Sequence, residues 1–276
     1  MEFDTDHARF AMFVGGFVFF FAVETLFARR RLTTPRVTRL AFHVGVATVN
    51  TVIIRTLTYV PLLLWSVHVE AQGWGLSRML GLAGWTELLA SLVVLDFFIY
   101  LWHRANHRVR FLWRFHKAHH SDPEMDVTTA LRFHPGELLI SALVKAGWIL
   151  IWGPTATAWF LFEVSISLAA QFHHTNIDFP DRIERPLRWL VVTPRLHAAH
   201  HAVDRAFGNH NFATVFSIWD RLFGSWATPA DGGLTTALPG SIGLPEGRSV
   251  GFSPLEWLIE PARRRNLALA GESEDT

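Results

Sequence analysis

Long apolar runs separated by short polar segments dominate the chain up to about residue 172. The runs cover residues 10–28, about 40–65, 85–102, 137–153 and 155–172. A transmembrane helix needs about 17 to 25 predominantly apolar residues. Five such runs that lack a polar face are difficult to bury in a soluble protein. The pattern therefore predicts an all-α integral membrane helical bundle with four to five apolar segments.

Polar residues and helix breakers modify two of these runs. The second contains His43, Asn50, Arg55 and Pro61, and an arginine at the bilayer centre is costly unless it faces protein. We therefore expect this span to be tilted, bent or short. Residues 66–84 hold four glycines and read as a loop, and Gly153-Pro154 predicts a break between the last two runs.

The distribution of arginines predicts the orientation of the bundle. Five arginines lie in the segment RRRLTTPRVTR after the first run, and the positive-inside rule places this segment in the cytoplasm. The first run is not expected to be a signal peptide, because no basic segment precedes it and no small-residue cleavage site follows it. Counting the spans puts residues 103–134, 173–174 and 197–210 on the cytoplasmic face. The sequence predicts a single membrane domain over 1–276, with a cytoplasmic helical cap and a mostly irregular C-terminal tail over 230–276.

Composition supports a membrane protein and excludes several classes of site. The chain is 50% hydrophobic and 18% charged, whereas soluble domains carry about 25% charged residues. A formal net charge of +1 argues against a broad nucleic-acid surface. The absence of cysteine excludes disulfides, cysteine-ligated zinc and iron–sulfur clusters. The 15 histidines are the outlier.

Most of these histidines fall into three motifs: one HxxxH and two HxxHH. Side chains three or four residues apart share one face of a helix, so each motif presents a compact set of imidazoles. Imidazole is the commonest protein ligand of mid-row transition metals. The predicted ligands are His103, His107, His116, His119, His120, His197, His200 and His201.

Further residues are candidates for the same centre. His174 is predicted to be a ligand, and His134 and His173 are further candidate ligands. His134 fits a helix N-terminus equally well, and the alternative for His173 is to support a ligand or face solvent. Asp96 precedes His103 by seven residues and so lies on roughly the same helical face. We expect it to orient a histidine N–H, with Tyr100 nearby; a helix-packing hydrogen bond is the alternative.

The number of imidazoles narrows the chemistry. One zinc ion needs three or four ligands, whereas eight to ten nitrogens suit two metal ions with positions left open for oxygen. No HExxH motif of a zinc hydrolase occurs. A metal transporter remains an alternative, but it would place histidines and acids near the membrane midplane.

The order HRANH, WRFHKAHH, LRFHP, QFHHTN, HAAHH and SIWDRLFGSW resembles the fatty acid hydroxylase/sterol desaturase superfamily. The resemblance covers about 85–225, the expected catalytic core. It implies a non-haem di-iron centre of two iron ions held by the three motifs, with His174, and His134 or His173 beside it, in the place of the family's intervening histidines. It also implies O2 as co-substrate and hydroxylation or desaturation of a membrane lipid, either a fatty acyl chain or a sterol-like molecule.

The resemblance implies no catalytic residue beyond the metal centre. The longer hydroxylases of the family carry a fused haem-binding domain that transfers electrons, and this sequence departs from them in that respect. The resemblance therefore implies a separate electron donor, namely a ferredoxin, cytochrome or reductase. A carotenoid-type hydroxylase with the same centre and a non-enzymatic metal-binding or transport protein remain the alternative interpretations.

Overall fold

The computed structural model describes residues 5–228, 241–244 and 251–263, and in these residues the regular elements are all helical. The long helices are α1 (Thr5–Phe27), α2 (Arg36–Ile53), α3 (Val60–Ala71), α5 (Gly84–Arg108), α6 (Arg110–His120), α7 (Pro135–Trp152), α8 (Ala156–His174) and α9 (Asp181–Leu190). The short helices are α4 (Leu76–Met79), α10 (Pro194–His200), α11 (Arg205–Gly208), α12 (Ile218–Leu222) and α13 (Pro254–Ile259). The predicted all-α class is confirmed.

Four helical stretches are long and apolar enough to cross a membrane. They are His7–Phe27, Arg36–Met79, Gly84–Arg108 and Pro135–Trp152. The fifth predicted run forms α8, which has 19 residues but is not among these four. The lower bound of the predicted number of spans therefore fits the structure.

The second apolar run is a continuous helical stretch rather than a single regular helix. A π-helical segment, Ile54–Tyr59, joins α2 to α3, so the predicted irregularity is present. The predicted loop over 66–84 is wrong in its first part, because α3 continues to Ala71. Contacts with α7 account for this: Val69 is fully buried, and the Trp65 indole donates to the carbonyl of Ala146 at 2.9 Å.

The core of the bundle lies between α3, α5, α7 and α8. Its buried side chains include Leu62, Leu95, Ile149, Trp159 and Phe162. The outer faces of the helices carry exposed apolar side chains, such as Val18, Phe19 and Leu143. Apolar residues on the outside of a helical bundle face lipid at low cost. This arrangement is that of a membrane protein.

A one-residue break positions the first two histidine motifs. The third apolar run covers residues 85–102, and α5 continues beyond it to Arg108, so that the same helix carries both His103 and His107. Val109 is extended, with φ −94° and ψ 114°, and α6 begins at the next residue. The HxxxH motif of α5 and the HxxHH motif of α6 therefore meet on facing helices.

A buried ion network fixes the loop that follows α6. The Arg39 guanidinium on α2 donates to both carboxylate oxygens of Asp122, at 2.9 Å each, and to Asp126 at 2.6 Å. Burial alone would raise the pKa of Asp122, but the positive charges of Arg39 and Arg132 bring it well below its usual range. The network holds a short 3-10 helix, Val127–Leu131, against the start of α2.

The described part of the C-terminal region contains ordered contacts with the bundle. Helix α13 brings Trp257 to 5.5 Å from the His134 ring, measured between ring centroids. The Lys117 ammonium lies 3.1 Å from a carboxylate oxygen of Glu260. The predicted irregular tail therefore contains a helix, and residues 229–240, 245–250 and 264–276 of that prediction lie outside the described residues.

Candidate metal centre

Five histidines from three helices form the first group, here called the five-histidine group. Helix α5 contributes His103 and His107, α6 contributes His116 and His120, and α10 contributes His200. One nitrogen of each ring lies within 4.8 Å of one nitrogen of every other ring. The group joins residues that are 97 positions apart, from 103 to 200.

A second group of four histidines lies directly beside the first. It consists of His119 on α6, His174 at the end of α8, and His197 and His201 at α10. In this four-histidine group the Nε2 atom of His174 lies 3.1 Å from those of both His119 and His197, and His197 lies 3.2 Å from His201. The stacked rings of His120 and His201, with centroids 4.2 Å apart, connect the two groups.

Helix α10 begins at a defined position because of its capping residues. The Thr193 hydroxyl accepts a hydrogen bond from the Leu196 amide, and Pro194 occupies the first turn. Both features favour a helix start. Because the start is fixed, the positions of His197 and His200, three residues apart on α10, are fixed as well, and each residue joins a different group.

Backbone carbonyls orient several of the imidazoles. The Nδ1 atom of His103 lies 2.8 Å from the carbonyl oxygen of Phe212, and that of His200 lies 2.7 Å from the carbonyl oxygen of His210. The His174 Nδ1 atom lies 2.7 Å from the carbonyl oxygen of Ala170. A carbonyl can only accept, so each Nδ1 carries the proton and each Nε2 keeps its lone pair. This is the arrangement typical of metal-binding histidines.

A buried carboxylate orients His116. The His116 Nδ1 atom donates to Glu137 Oε1 at 2.9 Å, and both side chains are buried. Glu137 lies in the first turn of α7, two residues after the Pro135 that starts this helix. A carboxylate hydrogen-bonded to a ligating imidazole fixes the tautomer and raises the basicity of the ligand.

The centre keeps its imidazoles neutral. Burial, reinforced by the neighbouring imidazoles, lowers the pKa of His119, His120, His197 and His201 well below the usual value. Burial likewise lowers the pKa of His200 to about 3. A neutral imidazole has a free lone pair, and metal binding requires it.

The geometry fits bound metal ions better than a network of hydrogen bonds. His174 and His197 each place one Nε2 atom against two other Nε2 atoms, and one lone pair cannot accept two hydrogen bonds well. Two nitrogens bound at right angles to one ion at about 2.1 Å lie about 3.0 Å apart. The Nε2 atoms of His107 and His200 are buried without a hydrogen-bond partner. A cation in each group would satisfy all of these atoms.

The other predicted ligands lie outside both groups. The His134 ring accepts from the Gly136 amide at 3.0 Å and its Nε2 donates to the carbonyl of Leu258 at 3.1 Å. His134 therefore occupies the helix N-terminal role that was its alternative. His173 lies against His197, with ring centroids 3.8 Å apart, but belongs to neither group.

Asp96 and Tyr100 make other contacts than those expected of them. Asp96 accepts hydrogen bonds from the amides of Val215 and Phe216 and from the Trp219 indole, at 2.8 to 3.1 Å. The Tyr100 hydroxyl lies 2.8 Å from the Ser225 hydroxyl. Asp96 thus makes the packing hydrogen bonds that were the alternative, and it fixes the segment after α11 to α5.

Two carboxylates that support the centre were not assigned a role from the sequence. Glu137 orients His116, as described above. Asp220 accepts hydrogen bonds from the amides of Phe212 and Ala213 and so fixes the peptide whose carbonyl, that of Phe212, orients His103. The signal available in the sequence was only that both acids lie within the motif-bearing segments LRFHPGE and SIWDRLFGSW.

A cavity of about 280 Å³ opens from the two groups into the bundle. It is lined by His103 and His116 of the five-histidine group and by His119, His174 and His197 of the four-histidine group. From there it extends between α1, α2, α3, α5, α7 and α8, where apolar side chains such as Leu62 and Ile99 provide most of the lining surface. The centre is therefore accessible from a space between the membrane helices.

Comparison with known proteins agrees with this site. The sequence profile described as fatty acid hydroxylase matches residues 88–225. Ornithine lipid hydroxylase of Rhizobium tropici is 33% identical over 144 residues, which are 52% of this chain and 42% of that protein. Human alkylglycerol monooxygenase is 33% identical over 145 residues, 51% of this chain and 31% of that protein.

Mouse cholesterol 25-hydroxylase is more distant, at 27% identity over 143 residues, 51% of this chain and 46% of that protein. The chain thus spans less than half the length of each of these relatives, and no solved structure matches it. The family match covers half of the chain and includes every histidine of both groups. The chain belongs to the fatty acid hydroxylase family.

Proposed function

We propose that this protein is a membrane-bound, O2-dependent di-iron oxidoreductase that hydroxylates or desaturates a lipid. The observation that carries the proposal is the pair of histidine groups at one end of a cavity between membrane helices. One iron ion would be held by the five-histidine group and one by the four-histidine group. Nitrogen ligands with open positions suit iron and oxygen chemistry.

The chain's own residues supply position and shelter for this chemistry. When bound, the iron pair supplies the oxidising power to attack an unactivated C–H bond, which side chains lack. Glu137 and the carbonyls of Phe212 and His210 hold the imidazoles in their ligating tautomers. The apolar walls of the cavity would bind the hydrocarbon and exclude water. The three relatives named above are all hydroxylases or monooxygenases, which supports hydroxylation in particular.

The experiment that tests this function is isotope labelling of lipid extracts. Cells expressing the chain, or its His119→Ala variant, are grown under 18O2, and their lipids are compared by mass spectrometry. A lipid that gains one 18O atom only with the intact chain supports a hydroxylase, and a new double bond without label supports a desaturase. If neither product depends on His119, the proposed function is wrong.

We propose further that the centre lies at the cytoplasmic side of the membrane. The arginine-rich segment after α1 is close to the centre: the Arg29 amide donates to the carbonyl of Asn176, two residues after His174, and Arg30 donates to the carbonyl of Met125. Positively charged segments of this kind are retained in the cytoplasm. Because the chain has no cysteine, Thr33→Cys labelled only by a membrane-permeant maleimide in intact cells would support this, and labelling by an impermeant one would contradict it.

A separate electron donor is part of the proposal, and a basic surface near the centre supports its docking site. Arg108, Arg110 and Arg114 are exposed at the junction of α5 and α6. Trp113 at this junction contacts the rings of His107 and His120, with centroids 5.0 and 5.5 Å apart. An acidic ferredoxin or cytochrome fits this surface, and its coupling to turnover should weaken as ionic strength rises.

A further inference from the structure

The cavity that reaches the histidine groups also contains a charged region that their chemistry does not use. Arg9 from α1, Lys145 from α7 and Glu163 from α8 all line it. Ionisable side chains among membrane helices are costly and generally mark a substrate or ion site. This region therefore needs an explanation beyond helix packing.

The Lys145–Glu163 ion pair is held in a fixed position and keeps hydrogen-bonding capacity for a third group. The Lys145 ammonium lies 2.6 Å from Glu163 Oε1, and the side chains are 15% and 12% exposed. The ammonium also lies 5.8 Å from the centre of the buried Trp159 ring, a favourable cation–π distance. An ammonium has three donors and a carboxylate has two oxygens. The ion pair uses one of each, so the pair can both donate to and accept from a third group.

The pair is well separated from the metal centre along both helices. On α7, Lys145 follows Glu137 by eight residues, which corresponds to about 12 Å at 1.5 Å per residue. On α8, Glu163 precedes His174 by eleven residues, or about 16 Å. The same cavity touches all four residues. A molecule that fills it would therefore contact imidazoles at one part and the ion pair at another.

We propose that the Lys145–Glu163 pair binds the hydroxyl group of a lipid alcohol, linear or sterol-like, whose hydrocarbon end lies at the histidine groups. This inference rests on the proposed function and specifies its substrate class. A hydroxyl can donate to Glu163 and accept from Lys145 at once. A carboxylate would meet the charge of Glu163, an amine would meet Lys145 and Arg9, and a pure hydrocarbon would leave the pair without a partner.

Binding of matched probes to the purified full-length chain tests the proposal without turnover. The linear probes are 1-hexadecanol, hexadecane, palmitic acid and hexadecylamine, and the sterol probes are cholesterol and cholestane. A hydrogen bond to a charged group is worth a factor of about ten or more in affinity. We therefore expect at least one alcohol to bind about tenfold or more tightly than its hydrocarbon, and the two probe sets show which shape fits.

Two substitutions connect that preference to the ion pair. Glu163→Gln keeps the volume of the side chain and removes its charge, and Lys145→Met keeps the aliphatic stem. Each is expected to reduce the alcohol preference to about threefold or less, with unchanged iron content. The exposed Arg185–Asp181 pair provides the control, because Arg185→Gln should leave the preference intact.

The proposal is overturned if alcohols and hydrocarbons bind equally, if palmitic acid or hexadecylamine binds more tightly than the alcohol, or if both variants keep the full preference. Failure of the proposed function would have a different signature. In that case the chain would lack iron or form no oxidised lipid, whatever its preference among the probes.

Discussion

Glu137→Gln tests whether the five-histidine group is a metal site supported by its surroundings. Glu137 lies at the wall of the cavity. Its Oε1 atom accepts a hydrogen bond from His116 Nδ1 at 2.9 Å. The substitution keeps the size and an acceptor oxygen but removes the negative charge. The prediction is that iron binding weakens at the five-histidine group and is unchanged at the four-histidine group.

The size of the effect follows from this hydrogen bond. His116 is 2% exposed and Glu137 is 5% exposed, so water does not replace the lost interaction. Hydrogen bonds to charged groups contribute about 1.5 to 3 kcal/mol, and each 1.4 kcal/mol is about a factor of ten in affinity. Since glutamine keeps a weaker neutral bond, we expect about a tenfold loss for Glu137→Gln and up to about a hundredfold loss for Glu137→Ala.

The assay is equilibrium iron binding by the purified chain over a series of buffered Fe2+ concentrations, with bound metal counted by mass spectrometry. Two binding steps are expected for the unmodified chain. In Glu137→Gln, one step moves to higher Fe2+ and the other stays in place.

Glu87→Gln is the matched control for this experiment. Glu87 is also a buried carboxylate of the bundle, and it accepts hydrogen bonds from Ser91 and Thr155, not from a histidine. Its variant should bind iron normally even where it unfolds more easily. Equal iron affinity of Glu137→Gln and the unmodified chain, or an equal loss in the Glu87 variant, would refute the reasoning.

Four further substitutions have expected outcomes. His119→Ala should abolish lipid oxidation and lower the amount of bound iron, and full turnover of this variant would exclude His119 as a ligand. His68→Ala should change neither property, because His68 is exposed and stacks on Trp65, with ring centroids 5.6 Å apart. Arg39→Met leaves the buried Asp122 without its main partner and should lower the free energy of unfolding by about 3 to 5 kcal/mol. A denaturation titration in detergent measures this change, and unchanged stability would contradict the role of the ion network. Asp96→Asn should lower the melting temperature, because the hydrogen bonds to the Asp96 carboxylate lose their charge, while the folded fraction keeps its iron. A loss of iron without a loss of stability would instead indicate a direct role for Asp96 at the centre.

The sequence predicted most of the helices and most of the histidines that the structure brings together in the two groups, because both follow from short-range patterns. Apolar runs locate membrane helices through the cost of exposing polar backbone to lipid. The spacing of His116, His119 and His120 places them on one helix from local geometry alone. The structure adds that neighbours in one motif separate: His119 joins the four-histidine group, while His116 and His120 join the other.

The parts that sequence reasoning missed depend on contacts between distant segments. Nothing local distinguishes Glu137, which orients a histidine, from Asp96, which anchors backbone amides 119 and 120 residues away. The end of α5 at Arg108 was not predicted for a similar reason, because it depends on how α6 packs against α5. The prediction of a loop over 66–84 was wrong for residues 66–71, because these residues continue helix α3, which packs against α7.

The iron content of the freshly purified, anaerobically reconstituted chain tests the di-iron centre most directly. Two histidine groups should hold about two iron ions per chain, one in each group, and zinc should fail to support lipid oxidation. His119→Ala and His107→Ala, which alter different groups, should each reduce the content to about one ion per chain. A content of one iron ion or fewer in the unmodified active protein, or full activity with zinc alone, would contradict a di-iron centre.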